Sequence, residues 1–172
     1  MARPPVAPRT TSQPCCLRRC KSASAKGWAV VPFGGGTSVV DGVDVTDRLT
    51  IGVALWEMNA VQHLDAESGE VRVQAGISGP ELERWLEARG FTWGHVPQSW
   101  ERATVGGYAA TRSAGQTSTG YGRADATVTK LRVATPRDDF DLGRAPGTAA
   151  GPDLQELFMG SEGSLGIISE VV

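Results

Sequence analysis

The chain has 172 residues, 40% hydrophobic and 21% charged, which fits one folded domain or a piece of a larger one and excludes a disordered chain. A formal net charge of -2 leaves no electrostatic footprint for nucleic acid, and no apolar run approaches the ~18 residues of a membrane span. Twenty-two glycines against two tyrosines and four phenylalanines argue for a loop-rich fold, not a helical bundle.

Residues 1–26 are rich in Pro, Arg, Ser and Ala, lack Asp and Glu, and show little periodicity. They read as a poorly ordered or aberrant leader. An acid-free, Arg- and Ser-rich leader is transit-peptide-like in composition, but a disordered or wrongly started terminus is the simpler reading. Cys15, Cys16 and Cys20 are the only cysteines, and both histidines, His63 and His95, lie far downstream. That spacing does not assemble a structural zinc site, so no metal is expected. Without a disulfide framework or secretory signal, the expected compartment is a reducing cytoplasm.

Residues 28–32 read as a short buried strand running into Gly34-Gly35-Gly36. Val39, Val43, Val45, Leu49, Ile51, Val53 and Leu55 suggest strands separated by turns. Val61–Leu64, a polar turn and Val71–Ala75 form a hairpin pattern, with Val71, Val73 and Ala75 on one face. Ser78 and Glu81 make a capping box, Pro80 sits in the first turn, and Leu82, Trp85 and Leu86 give an apolar face before Gly90. This predicts a helix of about three turns packed on a sheet. Residues 91–129 show no obvious element, a length that points to functional loop. Leu131–Thr135 predicts a strand, 136–151 a polar loop, and Asp153–Met159 one or two helical turns capped by Asp153. The run 165–172 predicts a strand that stops at the last residue, so a fragment of a longer chain is expected.

Three segments combine small residues, hydroxyls and exposed backbone beside strands: Pro32-Phe33-Gly34-Gly35-Gly36-Thr37-Ser38, residues 103–115, and residues 160–166. Successive glycine N–H groups can converge into a nest that suits phosphate oxygens. Taken alone, such a loop is also an ordinary turn. A lysine-bearing phosphate loop is absent, since Thr37 and Ser38 follow the triplet, and no G-x-G-x-x-G opens a helix.

VPFGGGTS at 31–38, PQSWERATVGG at 97–107, ATRSAG at 110–115, Tyr121-Gly122 and MGSEGSLGII at 159–168 occur in one order. Together they resemble the FAD-binding domain of the vanillyl-alcohol oxidase/p-cresol methylhydroxylase (PCMH-type) family over residues 27–172. The resemblance is greatest to its bacterial alkyldihydroxyacetonephosphate-synthase-like branch. It implies an α+β fold of two small subdomains, here N-terminally incomplete and without the family's substrate (cap) domain. Leu17–Val31 loosely matches the helix and strand that precede the first loop in the family.

The resemblance also implies how FAD is held. Pro32, Phe33, Gly34, Gly35, Gly36, Thr37 and Ser38 would wrap the diphosphate. Gln98, Ser99, Thr104, Gly106 and Gly107 would pass along the diphosphate and flavin. Thr111, Arg112, Ser113 and Ala114 would continue that wall, with Arg112 as a charge-assisted donor. Glu162, Gly163, Ser164, Leu165, Gly166, Ile167 and Ile168 would close the adenosine side. No His or Cys lies between Gly34 and Val45, so FAD is expected to be non-covalent. The implied role is the FAD-binding portion of a flavin-dependent oxidoreductase or alkylglycerone-phosphate-synthase-like enzyme, with a small-molecule substrate if a cap domain exists elsewhere. No residue shows a paired acid–base partner, so catalytic residues stay unassigned. The alternatives are a non-catalytic FAD- or diphosphate-binding module and an inert truncated product. Trp56, Trp85 and Trp93 read as packing residues, and His63 as structural or exposed. His95 is close to the Pro97-Gln98 segment, which leaves a place near the flavin as the alternative, but it lacks a local partner and reads first as a packing or exposed residue.

Overall fold

The computed structural model describes residues 13–44, 48–143, 149 and 151–172. Its elements are α1 (Gln13–Ala25), β1 (Ala29–Phe33), β2 (Thr50–Ala54), β3 (Val61–Asp65), β4 (Glu70–Gln74) and α2 (Gly79–Glu87). There follow α3 (Val105–Thr111), α4 (Ser118–Tyr121), α5 (Ala124–Thr127), β5 (Leu131–Ala134), β6 (Asp139–Leu142), α6 (Gln155–Phe158) and β7 (Ile167–Val171). The architecture is mixed α+β. No helix among the described residues is long and apolar enough to cross a membrane.

β1 and β2 form a two-stranded parallel sheet, Ala29 opposite Thr50 and Phe33 opposite Ala54. The second sheet has the order β3-β4-β7-β5-β6 and is antiparallel throughout. β7 is therefore paired on both sides, and all five of its residues are buried. Two apolar clusters sit on opposite faces of this sheet. The larger takes Leu131 and Val133 from β5 and Ile168 and Val171 from β7, under α2 and α3. The smaller takes Ala134 and Ile167 with Val53, Leu55 and Met58.

α2 forms where the capping box predicts it. Ser78 Oγ accepts from the Glu81 N–H, Glu81 returns a bond to the Ser78 N–H, and Leu82 and Leu86 are buried. The β3–β4 hairpin also matches its alternation, Val73 and Ala75 facing the large cluster. Its turn is held by the Asp65 carboxylate, which accepts from the N–H groups of Glu67 and Ser68. Hydrogen bonding from Ser68 and Glu67 holds that carboxyl below the usual range.

Residues 13–25, expected to be poorly ordered, are helical. Cys16, Cys20 and Ala23 recur at helical spacing and are buried, Cys16 Sγ lying 3.8 Å from Met58 Sδ and Cys20 Sγ 3.7 Å from the Ala134 carbonyl. A buried thiol behaves as a small apolar side chain, so these cysteines supply the helix's packing face. Burial, with the neighbouring Cys15 and Cys20, pushes the Cys16 thiol up to about 12. It stays protonated at neutral pH.

Three further differences are local. The stretch 91–129 contains α3, α4 and α5, and the loop at 136–151 contains β6, with residues 144–148 and 150 outside the description. Among the valines read as strand after the glycine triplet, only Val53 lies in β2; Val39 and Val43 are exposed loop residues, and Val45 lies outside the described residues.

Candidate functional site

The loop leaving β1 runs across the segment that enters α3, and both face the loop that enters β7. Between them is a cavity of 350 Å³, within the ordinary range of small-molecule sites. Its walls come from both apolar clusters, Leu55 from one and Ile168 from the other.

Of the first loop, Pro32, Gly34, Gly35, Gly36, Thr37 and Ser38 line the cavity. Phe33 turns away and packs edge-on against Trp56, ring centroids 5.9 Å apart. The glycines serve loop-to-loop packing as well as access. A Cβ at Gly35 would overlap the Arg102 carbonyl oxygen, and one at Gly34 would stand 2.5 Å from Thr104 Oγ1. The backbone N–H groups of residues 34–39 find no protein acceptor among the described residues. Gly34, Gly35, Thr37 and Ser38 are half-buried, whereas Gly36 and Val39 are exposed. Half-buried backbone donors are nearly always paired, so these four free ones mark a place for an external acceptor.

The second segment contributes Ser99, Thr104, Gly106 and Gly107, whereas Gln98 is exposed and outside the cavity. Thr104 caps α3, its Oγ1 accepting from the Gly107 N–H at 3.3 Å. Thr111 and Ser113 line the cavity, and Ala114 does not. From the closing loop, Glu162, Gly163, Gly166 and Ile168 line it. Ser164, Leu165 and Ile167 instead border a separate 200 Å³ groove with Cys20 and Trp28.

Arg112 does not line the cavity. Its guanidinium is paired with Asp125 at 3.2 Å and with Glu156, and it also bonds the Met159 carbonyl. Hydrogen bonding from Arg123 and Arg112 holds the Asp125 carboxyl below the usual range against its own desolvation. Glu162 is then the only charged residue lining the cavity among the described ones. An anion here is met by neutral backbone donors and hydroxyls.

His95 is buried, with Nε2 3.0 Å from the Ser113 hydroxyl, and its ring lies tilted against Trp93 and edge-on to Tyr108. Burial lowers its pKa from the ordinary 6.5, so the imidazole is neutral at pH 7. His95 Nδ1 and the Tyr108 hydroxyl are buried without partners among the described residues, and burial pushes the Tyr108 phenol up. Trp85 and Trp93 pack on the large cluster, and Arg89 stacks over Trp85 at 3.6 Å.

Sequence reasoning missed Val39, Val40, Gly42, Val43, Leu55, Ala103, Tyr108 and Ala110 as lining residues. The first four directly continue the glycine loop. That continuity was the available signal, masked by their resemblance to strand residues.

A model of the FAD binding domain family matches residues 6–139. The chain is 36% identical over 155 residues to an alkyldihydroxyacetonephosphate synthase of Caenorhabditis elegans, covering 88% of this chain and 26% of that protein. It is 35% identical to the mitochondrial D-lactate dehydrogenase [cytochrome] of Arabidopsis thaliana, covering 83% of this chain and 25% of that protein. A solved alkyldihydroxyacetonephosphate synthase superposes with a TM-score of 0.88 at 33% identity, covering 94% of this chain and 30% of the other. The chain thus spans about a quarter of the length of the curated relatives it matches.

Proposed function

The chain belongs to the FAD-binding domain family, and from that premise we propose that the 350 Å³ cavity holds FAD non-covalently with its diphosphate on the loop 34–39. The observation that carries this reading is the run of unpaired N–H groups on a loop that lines the cavity. A diphosphate offers the acceptors those donors lack, and backbone nests bind such anions without a cation. The hydroxyls of Thr37, Ser38 and Ser99 add donors on the same wall. Val39, Val40, Val43 and Leu55 give it an apolar side. No His or Cys lines the cavity among the described residues, which supports the non-covalent reading.

When bound, FAD supplies two-electron redox chemistry, and the protein supplies binding, orientation and electrostatics. Gly34 to Ser38 hold the anion, Thr104 fixes the start of α3 beside it, and Glu162, Gly163 and Gly166 form the opposite wall. We further propose that the chain serves within a flavin-dependent oxidoreductase or alkylglycerone-phosphate-synthase-like protein whose small-molecule substrate is bound largely by other parts.

The test is to purify the chain, add FAD, remove free cofactor and record the visible spectrum. Flavin absorbance that comigrates with the protein and is released by denaturation supports the proposal. A protein that stays colourless with excess FAD sinks it, and flavin that stays attached after denaturation overturns the non-covalent part.

A further inference from the structure

Arg112 is the C-terminal cap of α3, with φ 48 and ψ 47. Non-glycine residues hold this left-handed conformation only where the surroundings fix it. What fixes it here is a four-point contact on one side of the loop that enters β7. Nε donates to the Met159 carbonyl at 3.0 Å, and Nη1 to Asp125 Oδ2 at 3.2 Å. Nη2 donates to both the carbonyl oxygen of Glu156, at 3.0 Å, and its carboxylate, at 2.5 Å. Two of these acceptors, the carbonyls of Glu156 and Met159, belong to the end of α6. The arginine therefore caps a helix other than its own.

The loop returns the contact. The Gly160 N–H donates to the Ala109 carbonyl at 3.0 Å and the Glu162 N–H to the Ala110 carbonyl at 2.9 Å, covering carbonyls at the end of α3. Each helix end is thus satisfied by the other's connecting segment. Glycine at 160 is needed for this, since a Cβ there would stand 2.9 Å from Arg112 Nε and 3.0 Å from its Cγ. Glu162, within the contact, and Gly163 and Gly166, just beyond it, line the cavity.

We propose that Arg112 is a positioning residue that locks the 159–166 loop against α3 and so sets the cavity wall, without touching the bound group. For the identity of that group the proposal rests on the FAD reading above. A direct ligand and a positioning residue predict opposite signs at Glu156. If Arg112 gripped the diphosphate, Glu156 would compete for the guanidinium, and Glu156→Ala would tighten FAD. If Arg112 positions the loop, Glu156→Ala removes one anchor and weakens FAD. Arg112→Lys also discriminates, because an ammonium keeps the charge but lacks the planar fork that reaches several acceptors at once.

The experiment measures FAD affinity by flavin fluorescence, and amide hydrogen exchange without FAD, for the wild-type chain, Arg112→Lys, Arg112→Gln and Glu156→Ala. Both Arg112 variants are expected to raise Kd about tenfold or more, and Glu156→Ala to raise it severalfold. All three are expected to lose exchange protection at Gly160 and Glu162 while the amides of β5 and β7 keep theirs. Tighter binding by Glu156→Ala, wild-type affinity in Arg112→Lys, or protection lost equally in β5 and β7 overturns the proposal. If the wild-type chain takes up no FAD, the cofactor reading fails, and exchange at Gly160 and Glu162 alone decides whether Arg112 locks the loop.

Discussion

At the scale of single residues, the glycine triplet and the buried histidine make separate predictions. Gly35 lies against the Arg102 carbonyl, so a methyl group there must push the first loop off the segment that enters α3. Gly35→Ala is expected to lower FAD affinity at least about tenfold and to destabilise the fold by about 1–3 kcal/mol, as overpacking does. Titration with FAD and urea unfolding measure the two effects. Unchanged affinity would show that the loop can shift without loss of the cradle. His95 sets a pH dependence. Its folded pKa lies below the ordinary 6.5, so the unfolded chain binds a proton that the native state refuses. Its contribution to stability is complete above pH 6.5 and declines as pH falls toward the lowered value. Urea midpoints are expected to fall over that acidic window in the wild type and to vary less in His95→Gln. An equal slope in both would assign the dependence to other groups. Arg112 shows why residue roles are hard to read from a string. ATRSAG identifies its neighbourhood, but Asp125 and Glu156, which claim the guanidinium, are distant in sequence and unremarkable there.

At the scale of elements, what was legible depended on whether the signal was local. α2 carries its cap, its first-turn proline and its apolar face within ten residues, and the second strand of the β3–β4 hairpin carries strict alternation over Val71–Ala75; both form as expected. Ser78→Ala is expected to cost about 1 kcal/mol, lowering Tm by roughly 2–4 °C, with FAD affinity unchanged because α2 does not line the cavity. A change in FAD affinity would mean that α2 communicates with the site. α3 was hidden because VGGYAAT has two glycines and no charged residue, so neither propensity nor amphipathic pattern marks it. Its stability comes from the Thr104 cap and from burial of Val105, Tyr108 and Ala109, which are tertiary effects. α1 was hidden for a different reason. Its apolar stripe is made of cysteines among arginines and serines, so composition read it as polar.

At the scale of the molecule, the order of the glycine-rich loops along the chain pointed to the cavity before any geometry did. What that order could not convey was electrostatic. The lining has one carboxylate and no cation among the described residues, so binding of a dianionic diphosphate should depend little on ionic strength. FAD affinity measured from low to high salt is expected to stay nearly constant, and a steep fall would require a cation that the described lining lacks. Because FAD should bind only the folded chain, free cofactor at 100 times its Kd is expected to add about 2.7 kcal/mol of stability. The matching rise in Tm is readable by thermal shift, and no shift at saturation would contradict specific binding.

The strand order β3-β4-β7-β5-β6 also has a kinetic consequence. Each outer pair is a neighbour in sequence and can zip up on its own, but the two pairs meet only through β7. Bringing residues 167–171 back to Val73 and Gln74 closes a long loop before any contact rewards it. Folding of this sheet should therefore be limited by the insertion of its middle strand between two preformed hairpins. The cavity wall leading into β7 can take shape only after that step.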